Sequence, residues 1–424
     1  MTLTRASATG LVSRTRPRPD AGDVLDVLGR EGFAWLHDRA GLATAGVAAR
    51  IRVGPGPERF RAAAAAVTEI LAGIDVDDPL RLPGTGPLAV GAIPFSDEGA
   101  GELVVPALVL GRTAEGRAWI TETGPALDDE SSDSAEPPAA RPLRLVATGE
   151  GGQPLRSGHA SRRAWTDAVE QALAEIARGP LAKVVLAREL VVDADRPFRR
   201  RAVLDALRAA HPSSFTYAAG GFMGASPELL LRRRGGRVLS RPMAGTTRRG
   251  ATPGEDERLV EALVSSPKEA EEHALVVGAV RAALETVCGE VISAAGPEAV
   301  RLSSVTHLAT SVAAHLDADD CPSALALAGL LHPTPAVAGL PVTEALAAIA
   351  RLESFERGLY AGPVGWVDVR GDGDWAVALR CASLEGSRAR LAAGAGIVAD
   401  SEPDDEWAET EAKLEPMLAA LQAG

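Results

Sequence analysis

Cysteine is scarce in this chain, with three residues among 424. Cys288, Cys321 and Cys381 lie far apart and form no CxxC spacing, which argues against a disulfide scaffold, a redox pair or a zinc ribbon and leaves reduced, buried thiols as the expectation. Long apolar runs are missing as well. Each is interrupted by Arg, Glu, Gly or Pro short of a bilayer span, and no continuous apolar leader opens the chain, so a cytoplasmic protein without a membrane partner is expected. Positive charge is in deficit too. A net charge of −13, with Arg scattered rather than massed, excludes the basic face that nucleic acid demands but still permits a locally positive pocket for a small anion. Walker A, HExxH and GxSxG motifs are all absent.

Apolar residues, at 46%, are plentiful enough for a substantial core, in one large domain or in two or three ordinary ones. Residues 1 to about 20 hold several Arg and little periodic apolar content, and read as a flexible tail. Short mixed runs such as Phe33 to Leu36 and Leu88 to Ile93 then alternate with Gly/Pro turns and predict strands, with a helix near Phe60 to Leu71. The acidic, Ser/Pro-rich stretch at about 128–142 is expected to be a surface loop. Beyond it the pattern predicts helices over Arg163 to Arg178 and Ala202 to Ala210, and strands over Leu181 to Ala187, Phe222 to Ala225 and Glu228 to Arg233, the last forming a hairpin with Arg237 to Ser240. Gly362 to Val369, Asp374 to Leu384 and Arg388 to Gly394 read as a meander of three strands. Ser266-Pro267-Lys268-Glu269 opens a helix as a capping box that continues through Leu275, Val276, Val280 and Leu284. A last helix runs from about Ser401 past Leu418, with Pro416 as an internal strain point. Strand runs outnumber helices without regular βαβ alternation, so the fold class is α+β.

Several residues could carry chemistry. Lys183 sits in an apolar run on the face of Leu181 and Val185, where burial would lower its pKa toward that of a general base; a solvated lysine that begins an edge strand is the plainer reading of the segment alone. Glu228 precedes Leu229-Leu230-Leu231, and an apolar setting suits a general acid, although a charge that ends a strand reads alike. Glu272 lies one turn beyond the cap, either spare for function or placed for the helix dipole. Glu406, Glu409 and Lys413 share one helix face, and with Glu272 they would offer oxygen ligands to a hard cation such as Mg²⁺; a solvated Glu409 to Lys413 ion pair is the plainer alternative. Gly394 to Ala399 has the spacing GxGxxA after a strand, but no helix starts within the glycines, so it is not a dinucleotide site.

In order and spacing, KVVLAREL from Lys183, GASPELLLRR from Gly224, RPMAGTTRRG from Arg241, KEAEEHALVV from Lys268, THLAT from Thr306, LLHPTPAVAGLP from Leu330, ERGLYAGPVGW from Glu356 and the later ALRCASL, AGAGIV and EWAETEAKL resemble the chorismate-utilising enzymes. The likeness spans about residues 160 to 420, with a weaker echo in VGAIPF from Val90, and is closest to isochorismate synthases. It implies a single domain over 21–424, with a catalytic core at about 160–421, made of two large, mostly antiparallel sheets packed together with helices outside. It also implies Lys183 as the base that activates water for attack at C2 of chorismate and Glu228 as the acid that protonates the departing C4 hydroxyl. Glu272 and Glu409 would ligate Mg²⁺, with Glu406 a direct or water-bridged third. Tyr360, Arg380 and Gly396 match positions that bind the enolpyruvyl carboxylate; Gly245, Thr246, His307 and Lys413 match substrate-lining positions. Anthranilate and aminodeoxychorismate synthases carry a GAPK-like segment where this chain has Pro335 to Pro341, and anthranilate synthases lack the lysine at 183, so water is the expected nucleophile and no amidotransferase subunit is expected. Salicylate synthases, the nearer alternative, tend to have threonine at the position of Ala336. The resemblance suggests a monomer.

Overall fold

The computed structural model describes residues 10–125, 155–159, 161–317 and 321–424, and the acidic stretch at 128–142 lies outside them. Two large sheets account for most of the strands. The larger, of thirteen strands among the described residues, runs from Leu155–His159 through Lys183–Ala194, Arg388–Ile397, Cys381–Glu385, Phe222–Ser226, Phe215–Ala219, Phe33–His37, Ala40–Ala45, Leu108–Arg112, Ala118–Pro125 and Leu11–Pro17 to Asp75–Asp77, with Gly339–Leu340 added beside Lys183–Ala194. The second has nine strands and is centred on Leu229–Arg234, Gly373–Val377 and Pro363–Asp368. Met243–Arg248, Val305–Ala309 and Glu298–Arg301 form a third, small sheet. Apart from the parallel pair of Leu11–Pro17 with Asp75–Asp77, neighbours run antiparallel, as the α+β reading requires.

The core lies between the two large sheets, where Trp35, Leu42 and Leu186 of one pack with Leu103, Leu231 and Trp375 of the other. Each such buried Leu contributes roughly 1.5–3 kcal/mol. A second cluster covers the opposite face of the larger sheet: Leu204 and Leu207 of helix Arg200–Ala210 and Leu414 and Leu421 of helix Pro403–Ala423 pack on Leu190 and Leu391. Among the described residues no helix is long and apolar enough to cross a membrane.

The structure revises several readings. Leu11–Pro17, inside the stretch read as a tail, is a strand whose Ser13 and Thr15 hydroxyls are buried against Thr123 and Thr121; polar alternation hid a strand that pairs through threonine and serine rather than aliphatics. The run Asp374 to Leu384 is two strands, Gly373–Val377 and Cys381–Glu385, in different sheets, because Arg380 takes a left-handed φ of 50° between them. Helix Pro267–Glu285 buries Val276, Val280 and Leu284, whereas Leu275 is turned outward. Cys288 and Cys381 are buried, but Cys321 is only half-buried.

Three chain crossings between sheets matter most. Phe222–Ser226 leaves the larger sheet for Leu229–Arg234 in the second, with Glu228 at the step. Gly373–Val377 returns to the larger sheet with Arg380 at the step, and Arg237–Arg241 passes to the small sheet just before Gly245 and Thr246.

Candidate active site

Lys183 begins its strand but is no edge residue: Gly339–Leu340 pairs on one side and Arg388–Ile397 on the other, which leaves the lysine 5% exposed. Its Nζ donates to Glu272 Oε1 at 2.6 Å. Gly396 makes this approach possible, since a Cβ there would stand 2.9 Å from Lys183 Cε.

Glu228 is equally buried, at 4%. A turn holds it, in which the Glu228 amide donates to Ser226 Oγ at 3.2 Å. Burial raises its carboxyl to about 8, against the opposing pull of a hydrogen bond from the Met243 amide and of the cations Lys183, Arg380 and Lys413, so the group is protonated at neutral pH.

Arg380 points its guanidinium to His307, with Nη2 donating to Nε2 at 3.1 Å. Arginine only donates, so Nε2 must be the bare nitrogen and Nδ1 carries the proton toward Thr246 Oγ1 at 3.0 Å. Burial, with Arg380 and Lys413 nearby, holds the His307 pKa far below its ordinary value, so the imidazole is neutral. The bent backbone at Arg380 packs closely on Gly224, where a Cβ would meet the Arg380 carbonyl and the Tyr217 hydroxyl at 2.7 Å each. Tyr360 keeps its proton, because burial pushes the phenol up, and thus remains a donor.

Every residue singled out from the sequence except Glu406 lines one cavity: Lys183, Glu228, Gly245, Thr246, Glu272 and His307, together with Ala336, Tyr360, Arg380, Gly396, Glu409 and Lys413. Lys413 Nζ binds both Glu409 Oε1, at 2.5 Å, and the Gly394 carbonyl, at 2.8 Å, so the ion pair read from the helix exists but is turned inward. Glu406 stands one turn before Glu409, raised to about 7 by burial and by the Glu409 charge.

Glu269 is an acid that the sequence reading assigned elsewhere. Ser266 Oγ does accept from the Glu269 amide at 3.3 Å, but the reciprocal half of the capping box is not made, because the Ser266 amide goes to the Leu263 carbonyl. The Glu269 carboxylate accepts from the Thr246 amide instead, and burial together with Glu272 and Glu409 raises its pKa. Arg357 was also missed. Its guanidinium donates to the carbonyls of Val185 at 2.7 Å and Val337 at 2.8 Å, both on residues of the cavity wall, and it is paired with buried Glu353. An Arg four residues after a Glu was the available signal.

Among the described residues no group of three His, Cys, Asp or Glu side chains is placed to hold a metal ion. Magnesium asks for less, normally one or two carboxylates completed by waters and a substrate anion. Glu272 and Glu409 supply two all-oxygen donors on the wall, and their charges raise Glu269 and Glu406, a strain that a divalent cation would relieve.

A cavity with a buried lysine, a protonated glutamic acid, an arginine held by a neutral histidine and two wall carboxylates, set between two antiparallel sheets, defines an enzyme for a small anionic metabolite. The chain matches the chorismate binding enzyme family over residues 21–422 and belongs to it. It is 38% identical over 346 residues to isochorismate synthase DhbC of Bacillus subtilis (strain 168), covering 79% of this chain and 81% of that one. It is 34% identical over 389 residues to isochorismate synthase MenF of the same organism, covering 86% and 79%. The structure of MenF, the menaquinone-specific isochorismate synthase from Escherichia coli, is similar with a TM-score of 0.79 at 26% identity, covering 97% of this chain and 95% of that one.

Proposed function

We propose that this protein is an isochorismate synthase that converts chorismate to isochorismate with Mg²⁺ as cofactor. The observation that carries this reading is the placement of Lys183, at the start of one strand, and Glu228, at the turn between two others, on the wall of one cavity. Lys183 takes a proton from the water whose oxygen bonds to C2. The two ring double bonds each shift by one bond, and the C4 hydroxyl leaves as water with the proton of Glu228. Composition is conserved, so the enzyme is an isomerase. Arg380, with Tyr360 and the amide edge at Gly396, receives the enolpyruvyl carboxylate. Thr246, Gly245, His307 and Ala336 shape the remaining wall, and Lys413 fixes Glu409. Glu272 and Glu409 would hold Mg²⁺, with Glu406 and Glu269 behind them, and the bound ion supplies positive charge for the ring carboxylate.

Neutral His307 accepts from Arg380 and so keeps the guanidinium oriented toward an anion rather than competing with it for charge. The protein acts as a monomer without an amidotransferase subunit. The test is incubation of the purified protein with chorismate, with and without Mg²⁺, followed by separation of products. Isochorismate that forms only with Mg²⁺ and without pyruvate supports the reading; salicylate with pyruvate would make it a salicylate synthase, and an amino product that requires ammonia would remove it.

A further inference from the structure

The proposed reaction takes in one water at C2 and forms another at C4 while the substrate occupies the cavity. The second water forms beside Glu228. Next to Glu228, Pro227 and Arg380 wall the active-site cavity and also a separate hollow of about 10 Å³, the space one water needs. That hollow shares His211, Ser303, Ser304 and Pro416 with a cavity of about 250 Å³ between helix Arg200–Ala210 and helix Pro403–Ala423.

The walls of this path are suited to water. Ser304 Oγ is buried and has no hydrogen-bond partner among the described residues, and such a hydroxyl is ordinarily satisfied by an ordered water. Pro416 lines both the hollow and the cavity and, as a proline, brings no N–H of its own to that wall. His211 ends helix Arg200–Ala210, and burial with Arg380 nearby keeps its imidazole neutral, able to donate and to accept.

We infer that the hollow at Pro227, Ser304 and Pro416 is a water passage, beside the active-site cavity, through which the water released beside Glu228 exchanges with solvent while chorismate or isochorismate stays bound. The inference rests on the isochorismate synthase reading. It makes Ser304 a positioning residue for water, not a catalytic one.

The test uses chorismate carrying ¹⁸O in its C4 hydroxyl. In the full-length enzyme, each return from bound isochorismate draws its C4 oxygen from solvent through the passage, so unreacted chorismate loses label faster than free isochorismate accumulates. Ser304→Leu fills the hollow and Ala210→Phe narrows its outer opening. In either folded variant the trapped water should re-add, and the ratio of label loss to isochorismate release should fall severalfold. Ala210 is exposed, so its variant keeps the test open if Ser304→Leu does not fold. An unchanged ratio in the folded variants overturns the passage, whereas absence of isochorismate from the native enzyme overturns the reading beneath it.

Discussion

Lys183 Nζ donates to Glu272 Oε1 across 2.6 Å, which joins the first residue of a strand to the second turn of a helix 89 positions later. The pair brings the proposed base against a proposed metal ligand. Lys183→Ala should lower turnover by about 10²–10⁴-fold, the usual contribution of a general base. Glu272 is partly exposed and can take water in place of the ammonium, so the variant should keep a native circular dichroism spectrum. Near-native steady-state rates from folded Lys183→Ala would remove the lysine from the mechanism.

Glu228 makes two pH predictions. As an acid it must hold its proton, so kcat should fall as pH rises through about 8. For stability the sign follows from a folded pKa above the ordinary value of 4.5: the carboxyl's contribution is fully present below about 4.5 and is lost as pH rises toward about 8. Glu228→Gln should therefore be nearly inactive, and its melting temperature relative to the native protein should rise between about pH 5 and about pH 9. A constant difference in melting temperature would contradict the buried, protonated state.

Arg380→Lys keeps the charge and loses the planar fork. A hydrogen bond to a charged group is worth about 1.5–3 kcal/mol, so KM for chorismate should rise roughly 10- to 100-fold with a smaller change in kcat. Initial-rate kinetics across chorismate concentration would check the split. An effect confined to kcat would assign Arg380 to the chemical step instead.

Arg357 tests the wall rather than the chemistry. Its side chain and that of Glu353 are each 3% exposed, so Arg357→Ala leaves a buried carboxylate uncompensated. The expected loss is about 3–5 kcal/mol in denaturant unfolding. Arg357→Lys should recover only part of it, because one ammonium cannot serve the Val185 and Val337 carbonyls together with Glu353.

Much of this was legible in the sequence, and the exceptions have physical causes. The helix caps at Ser266 and the strand around Lys183 follow from local chemistry, and the motif order brought every proposed wall residue into one cavity. Whether Lys183 was buried could not be decided locally, because its burial comes from Gly339–Leu340 and Arg388–Ile397, which are distant in sequence. The break at Arg380 was hidden because the bent backbone packs against Gly224, over 150 residues away, whose missing Cβ leaves room for the Arg380 carbonyl. Glu269 looked committed to its helix cap; only the position of Thr246 shows that its carboxylate is used elsewhere. The strand Leu11–Pro17 escaped notice because its buried partners are hydroxyls.

The most direct test of the central claim is to run the reaction in H₂¹⁸O with Mg²⁺ and locate the label in isochorismate at early conversion. Attack by water activated at Lys183, with loss of the C4 hydroxyl protonated by Glu228, predicts one ¹⁸O at C2. Isochorismate free of label would mean that the hydroxyl migrates within the substrate, and the paired base and acid would have no role.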